Sequence, residues 1–376
     1  MELLKLELNW RLWVFCAFAG ATAIQLFYYW WFFRRLAFYQ PSPKEKSQTH
    51  PVSVIVCARD QAANLTEKLP GVLVQTYPTT HEVIVVNDNS VDETKYLLDE
   101  LKKTFRHLQA VNLEYEAQLI PGKKYPLSIG IKEARHEVVL LTDADCVPAS
   151  EFWMQKMQDG YNDGVEVVLG YGAYNKKPGM LNKLIRFETF HSALQYLSYA
   201  LAGTPYMGVG RNLSYTKKLF FQNKGFSQLG RVPGGDDDLF VNMVANKHNT
   251  SVVIDPGAFT LSEPKKTWRD WVRQKSRHYS TGKFYKPKHR FMLGLYSFTH
   301  FLFYPLFIVS LLYDWRLALG VFLTRFITQG YLFYKSMEKL EEKDLWRWWW
   351  LLDIWMFWYY LIFAPAIWKK PRNNWN

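Results

Sequence analysis

The chain has 376 residues, enough for one large domain or two ordinary ones, and its 46 Lys and Arg against 34 Asp and Glu give a net charge of +12. That excess points to an anionic partner: nucleic acid, an anionic membrane face or a phosphorylated substrate. Three cysteines (Cys16, Cys57, Cys146) show neither metal-ligand spacing nor a pairing logic, which excludes a cysteine-built scaffold. Mean hydropathy is only −0.20, but aromatic residues reach 17% with 16 Trp, so the average hides strongly apolar segments.

Leu12 to Phe33 carries no charge and is long enough to cross a bilayer. Its rim is aromatic, Tyr28-Tyr29-Trp30-Trp31, and Arg34-Arg35 follow, which assigns that end to the cytoplasm. The run is too long for a cleaved signal peptide and no small-residue cleavage site follows, so a signal anchor is expected. Pro41 to His50 is a polar linker.

Strands and helices then alternate. Val52–Ala58 reads as a strand, and Arg59–Leu65 opens a helix. Glu82–Val86 is a second strand ending in Asn87-Asp88-Asn89-Ser90. A third step passes Gly122-Lys123-Lys124 and a helix near Pro126–Arg135 into Val138-Val139-Leu140-Leu141. This last run ends in Thr142-Asp143-Ala144-Asp145. Strand periodicity puts both carboxylates on one side, where they repel unless a cation or donor lies between them. A hard divalent ion, Mg²⁺ or Mn²⁺, shared with substrate phosphates suits such a pair. The alternation predicts a parallel sheet with ligands beyond the strands' carboxyl ends, so Asp88, Asp143 and Asp145 should share one crevice. No Gly-x-Gly-x-x-Gly or Walker-type loop occurs, which argues against dinucleotide and P-loop chemistry.

Leu181–Ala202 is a helix whose Glu188, His191, Ser192 and Gln195 favour packing in the core or at an interface over spanning a membrane. Gly208–Tyr215 is a glycine-permitted loop beside a strand. Gly234-Gly235-Asp236-Asp237-Asp238 places three acids at a helix start, where acids also serve as caps. Trp268–Lys288 is basic and aromatic, an amphipathic helix with its cations toward anionic lipid or phosphate. It runs directly into Phe291–Tyr313, of spanning length, which disfavours nucleic acid as its partner. Leu317–Tyr334 and Trp346–Trp368 are further apolar stretches, in which Arg325, Gln329 and Asp353 should face the bundle interior. Three C-terminal crossings would leave Lys369-Lys370-Pro371-Arg372 outside, against the positive-inside tendency; an interfacial or re-entrant Leu317–Tyr334 brings that tail inside.

Seven segments, VSVIVCARDQAANL, EVIVVNDNSVDET, GKKYPLSIGIKEA, LLTDADCVP, GVGRNLSY, GGDDDLF and QKSRH, occur in an order and rough spacing that resembles the membrane-bound family 2 glycosyltransferases. That family includes cellulose, hyaluronan and poly-N-acetylglucosamine synthases and ceramide glucosyltransferase. The resemblance covers about Val52 to Tyr279 and the flanking membrane helices. It implies an α/β fold of GT-A type: a nucleotide-sugar-binding domain with a mostly parallel sheet between N- and C-terminal transmembrane helices. The implied layout is a signal anchor over 1–40, a cytosolic catalytic domain over 51–265, an interface segment over 266–290 and transmembrane or interfacial helices over 291–376. A bacterial inner-membrane protein with membrane lipids around it follows, without nucleic acid.

The resemblance also implies roles. Ala58 and the Arg59-Asp60-Gln61 turn match the segment lining the nucleotide, Asp88 the acid that reads the uracil edge, and Lys123 a lysine near the diphosphate. Asp143 and Asp145 match the D-x-D pair, the second being the direct metal ligand. Asp236 stands at the general base, with Asp238 at the downstream acidic position. Gln274 to His278 match Q-x-x-R-W with His278 for Trp; Arg277 would neutralise the departing diphosphate, and His278 would position the acceptor. The expected reaction is an inverting, Mg²⁺- or Mn²⁺-dependent transfer from a nucleotide sugar, a UDP-sugar, to a lipid or growing glycan. Because that Trp contributes to the synthases' acceptor-sugar site, His278 favours single transfer to lipid over a processive polysaccharide synthase. A non-catalytic nucleotide-binding membrane scaffold is the reading from another class, opposed by the presence of Asp143, Asp145, Asp236 and Arg277 together.

Overall fold

The computed structural model describes residues 2–41, 50–114, 122–230, 232 and 234–367. The strands are β1 (Val52–Ala58), β2 (His81–Asp88), β3 (Leu108–Leu113), β4 (Val138–Asp143), β5 (Cys146–Pro148), β6 (Val167–Leu169), β7 (Gly172–Tyr174), β8 (Leu213–Thr216), β9 (Thr250–Val252) and β10 (Thr260–Ser262). Seven form one sheet in the order β3-β2-β1-β4-β8-β6-β9. β3, β2, β1 and β4 run parallel, β8 lies antiparallel between β4 and β6, and β9 is parallel to β6. The mostly parallel sheet is the expected one. A small sheet, β5-β10-β7, was not anticipated; strands of three residues carry too little periodicity to be read.

Before the sheet run α1 (Glu2–Tyr28), a π-helical turn (Tyr29–Phe33) and α2 (Arg34–Ala37). Crossovers are made by α3 (Ala62–Leu73), α4 (Thr94–Thr104) and α5 (Lys124–Glu133), and α6 (Trp153–Gln158) follows. The second half adds α7 (Met180–Leu201), α8 (Lys217–Gln222), α9 (Asp238–Val244) and α10 (Trp268–Tyr279). Last come α11 (Pro287–Ser310), α12 (Trp315–Lys339) and α13 (Trp349–Phe363).

The pleat of β1 divides its side chains between two cores. Val52, Val54, Val56 and Ala58 pack with Leu65 and Leu69 of α3 and Trp153 of α6. Ile55 and Cys57 point the other way, into a core shared with α5, α7 and the helical end of the molecule. Both faces are buried, which is why β1 reads as an uninterrupted apolar run. α7 is buried on almost every side, as a helix without a single apolar stripe must be.

α1 and α11 lie antiparallel. Phe15 stacks on Tyr313 and Phe18 meets Phe303 and Phe307. Gln25 Nε2 donates to Tyr296 O (3.0 Å) and Thr299 Oγ1 (2.8 Å), and Tyr28 OH to Met292 O (2.6 Å). Among the described residues, Trp10–Ala37 and α11 are the two helices long and apolar enough to cross a membrane. The aromatic rim divides: Trp30 and Trp31 are exposed, whereas Tyr28 and Tyr29 are buried against protein. The π-helical turn at that point shifts the register of the helix face. Arg325 and Gln329 of α12 turn inward to Asp353 of α13, as expected for charges in an apolar bundle. The segment Trp346–Trp368 is divided among a 3-10 turn (Lys343–Trp348), α13 and a second 3-10 turn (Ala364–Ile367). The basic tail Lys369–Arg372 and most of the linker Pro41–His50 lie outside the described residues.

Candidate active site

Parallel pairing brings three strand ends to one edge: Ala58 stands opposite Asn87, and Cys57 opposite Asp143. The chain leaves β1 through Asp60 and β2 through Asn89, both at φ 52°, a left-handed turn that Asp and Asn tolerate. Asp60 ties the two loops together. Its N–H donates to Ser90 Oγ (2.9 Å) and its carboxylate accepts from Val91 N (2.8 Å). Beyond this edge opens a crevice of about 1890 Å³.

Asp143 closes β4 and Asp145 follows in the turn to β5. One oxygen from each and the Cys146 sulfur lie within 4.8 Å of one another. The Lys123 ammonium donates to Asp143 Oδ1. Burial raises the Asp143 carboxyl, but Lys123, Arg211 and Arg277 outweigh it and hold it below the usual range. Burial and the Asp143 charge push Asp145 up, with Arg211 opposing. The pair is thus one charged and one frustrated carboxylate, the state a bound cation would relieve. Burial and Asp145 also raise the Cys146 thiol far above its ordinary value, so it stays protonated. The available donors are carboxylate oxygens, which fit Mg²⁺ or Mn²⁺ rather than a thiophilic metal.

The three acids at the start of α9 have separate duties. Gly234 and Gly235 sit at φ 79° and 83°, and a Cβ on Gly235 would come 2.5 Å from Leu239 Cδ1, so only glycine fits that turn. Asp237 accepts from Gly210 N (2.8 Å) and Asp238 N (2.7 Å). Burial and its two acidic neighbours push its carboxyl up to about 8. Asp238 accepts from Thr281 Oγ1 (2.6 Å), Tyr285 OH (2.8 Å) and Leu239 N (2.7 Å), binding α9 to the segment after α10. Among the described residues, Asp236 alone of the three makes no side-chain hydrogen bond, and it lines the crevice.

α10 forms the far wall. Thr267 Oγ1 accepts from Asp270 N (3.2 Å) at its start. Trp271 packs on Tyr359 and Phe363 of α13, and Lys275 pairs with Glu188 of α7. Gln274 Nε2 reaches Tyr174 OH (3.5 Å). Arg277 and His278 line the crevice. His278 is open to the crevice's own solvent yet lies deep among protein atoms. That desolvation, with Lys275, Arg277 and Arg211 nearby, pulls its pKa far below the usual value and keeps it neutral at pH 7.

Of the residues singled out from sequence, Asp60, Lys123, Asp143, Asp145, Asp236, Gln274, Arg277 and His278 meet at this crevice. The Ala58 side chain is instead fully buried in the sheet core, because it falls on the opposite side of the β1 pleat from Cys57. Asp88 is buried at the end of β2 and approaches the crevice through Arg59, whose guanidinium lies 4.0 Å away. Two residues went unread. Arg211 donates to Ser262 Oγ (2.7 Å) and Gly172 O (2.9 Å) and lies 4.5 Å from the Tyr174 ring, holding the small sheet beside the acidic pair. A lone cation inside a glycine loop was the available signal. Lys124 donates to Leu229 O (2.6 Å) and Val232 O, fixing the loop that leads to Asp236. Beyond His278 the crevice continues between α7, α11 and α13, past Leu293, Phe298, Phe301 and Leu361.

The sheet order, the acidic strand end and the helical flanks define a GT-A fold. A solved mannosyltransferase from Pyrobaculum calidifontis, PcManGT in complex with GDP-Man and Mn²⁺, superposes with a TM-score of 0.60 at 18% identity, covering 95% of this chain and 98% of that one. A family model described as Glycosyl transferase family 2 matches residues 53–220, so that stretch of the chain is a family 2 glycosyltransferase domain. Probable glycosyltransferase YdaM of Bacillus subtilis (strain 168) is 24% identical over 324 residues, 78% of this chain and 73% of its own length. Poly-beta-1,6-N-acetyl-D-glucosamine synthase of Staphylococcus epidermidis is 29% identical over 145 residues, 38% of this chain and 34% of the synthase.

Proposed function

We propose that the protein transfers a single sugar from a nucleoside diphosphate donor, a UDP-sugar, to a lipid acceptor at a membrane surface. The observation that carries the reading is the unengaged Asp236 in the same crevice as Asp143, Asp145, Lys123 and Arg277. Asp145, with Asp143, would hold Mg²⁺ or Mn²⁺, which when bound neutralises diphosphate charge. Asp236 accepts the proton of the acceptor hydroxyl as its oxygen forms the new bond to the anomeric carbon. The bond from that carbon to the diphosphate breaks, with inversion, and Lys123 and Arg277 meet the charge gathering on the leaving group. A bound nucleotide sugar and Mn²⁺ in the fold relative PcManGT support the donor class.

Lipid as acceptor is supported by the continuation of the crevice along Phe298 and Phe301 of α11, one of the two helices of spanning length. The proposed layout keeps the anchor over 1–40, the catalytic domain over 51–265, the interface segment over 266–290 and the helices over 291–376. Arg34-Arg35 at the end of the first span orient the catalytic domain to the cytosolic face, in a bacterial inner membrane. The test is Asp236→Asn, assayed with a panel of nucleotide sugars and a lipid extract. Loss of transfer with UDP binding retained supports the base assignment; normal turnover removes it. The synthase reading draws on the poly-N-acetylglucosamine synthase match, and a ladder of product sizes from labelled donor would favour it.

A further inference from the structure

Resting on that reading, we propose that the acceptor carries an anionic, phosphate-type head group, held by an arginine ladder on α10. Arg269, Arg273 and Arg277 follow one another at intervals of four residues and all line the crevice. At 3.6 residues per turn they fall within an arc of about 80°, with successive Cα positions about 6 Å apart along the axis. The opposite face of α10 is spent on packing, through Trp271 and the Lys275–Glu188 pair. The ladder shares the crevice with the carboxylates Asp143, Asp145, Asp236 and Asp270. Among the described residues, none of the three guanidinium groups forms an ion pair or a side-chain hydrogen bond.

Arg277 lines the crevice with Asp143, Asp145 and Lys123 and is the rung assigned above to the donor's diphosphate. Arg273 and Arg269 stand one and two turns along α10 from Arg277, about 6 Å and 12 Å by helix rise, and Arg290 of α11 lines the same crevice. A second anionic group is what those cations are placed to receive. The crevice there also has an apolar wall, Leu293, Phe298 and Phe301 of α11 and Leu361 of α13. Cations beside an apolar groove match an amphiphile whose head is charged and whose chain runs along the helices. A neutral lipid alcohol would leave the two outer arginines without a counter-charge.

The test uses the full chain in phosphatidylcholine nanodiscs, with the unfolding midpoint as readout. Probes are dodecyl phosphate, dodecanol of equal chain length and inorganic phosphate; UDP with Mn²⁺ reports the donor side separately. Dodecyl phosphate is expected to raise the midpoint at concentrations where dodecanol and inorganic phosphate do not. Arg269→Gln/Arg273→Gln should weaken that response about tenfold, the loss of roughly one charge-assisted contact, and leave the UDP response unchanged. Lys102→Gln/Lys103→Gln on α4 should change neither. An unaltered dodecyl phosphate response in the arginine variant, or an equal response to inorganic phosphate, overturns the proposal, the latter marking a free-anion site. Loss of the UDP–Mn²⁺ response in the wild-type protein instead overturns the donor reading.

Discussion

Two aspartate–cation clusters in this molecule look alike in composition and differ in purpose. Asp353 of α13 is 1% exposed and saturated: Arg325 Nη1 lies 3.0 Å away, Gln329 Nε2 donates at 2.6 Å and Tyr304 OH at 2.6 Å, and His300 Nε2 stands at 3.1 Å. The cluster joins α11, α12 and α13. Asp143 has Lys123 as a direct partner, keeps a side-chain exposure of 34%, and is followed by Asp145, which among the described residues has no cation in direct contact. The closed cluster holds helices together; the open and electrostatically frustrated one faces the crevice.

Four substitutions probe the difference. Asp236→Asn, on the open side, should lower transfer by about 10²- to 10⁴-fold, the usual worth of a general base, in a product assay at saturating donor. Asp353→Asn, on the closed side, should cost about 3–5 kcal/mol by leaving Arg325 buried without its counter-charge, seen as a lowered unfolding midpoint. If Asp353→Asn unfolds like the wild type, that cluster is not structural. Asp145→Asn should lower Mn²⁺-dependent UDP affinity on the order of 10- to 100-fold, while the metal-free protein keeps or slightly gains stability as repulsion with Asp143 is relieved.

A further expectation concerns pH. His191 of α7 is buried, with Nε2 at 3.1 Å from Tyr296 OH, and burial, with the nearby His300, lowers its pKa to about 3. The folded state therefore refuses a proton that the unfolded chain takes up near pH 6.5. Stability is fully present above that value and falls as the pH drops toward 3, at up to about 1.4 kcal/mol per pH unit for one proton. His191→Gln should flatten that part of the midpoint-versus-pH curve; an unchanged slope between pH 6 and pH 4 would reassign it to other groups.

Much of the fold was legible because it depends on local pattern. The apolar runs at Val52, Glu82 and Val138 each end in turn residues or acids, and α/β alternation makes the parallel order nearly obligatory. The D-x-D pair, Lys123 and Arg277 were legible as motif residues. The small β5-β10-β7 sheet was not, nor was the burial of Ala58, since one residue of pleat decides which face a side chain serves.

By itself, then, the sequence determined the class of fold, the carboxyl-end crevice and the residue types at it, all consequences of periodicity and short-range chemistry. Tertiary structure decided the division of labour among like residues: which of Asp236, Asp237 and Asp238 stays unengaged, which of Lys123 and Lys124 faces the acids, and which face of α10 carries free arginines. Those choices depend on partners far away in the chain, such as Gly210, Thr281, Leu229 and Glu188. A hydrogen bond or ion pair made across such a distance leaves no trace in local spacing.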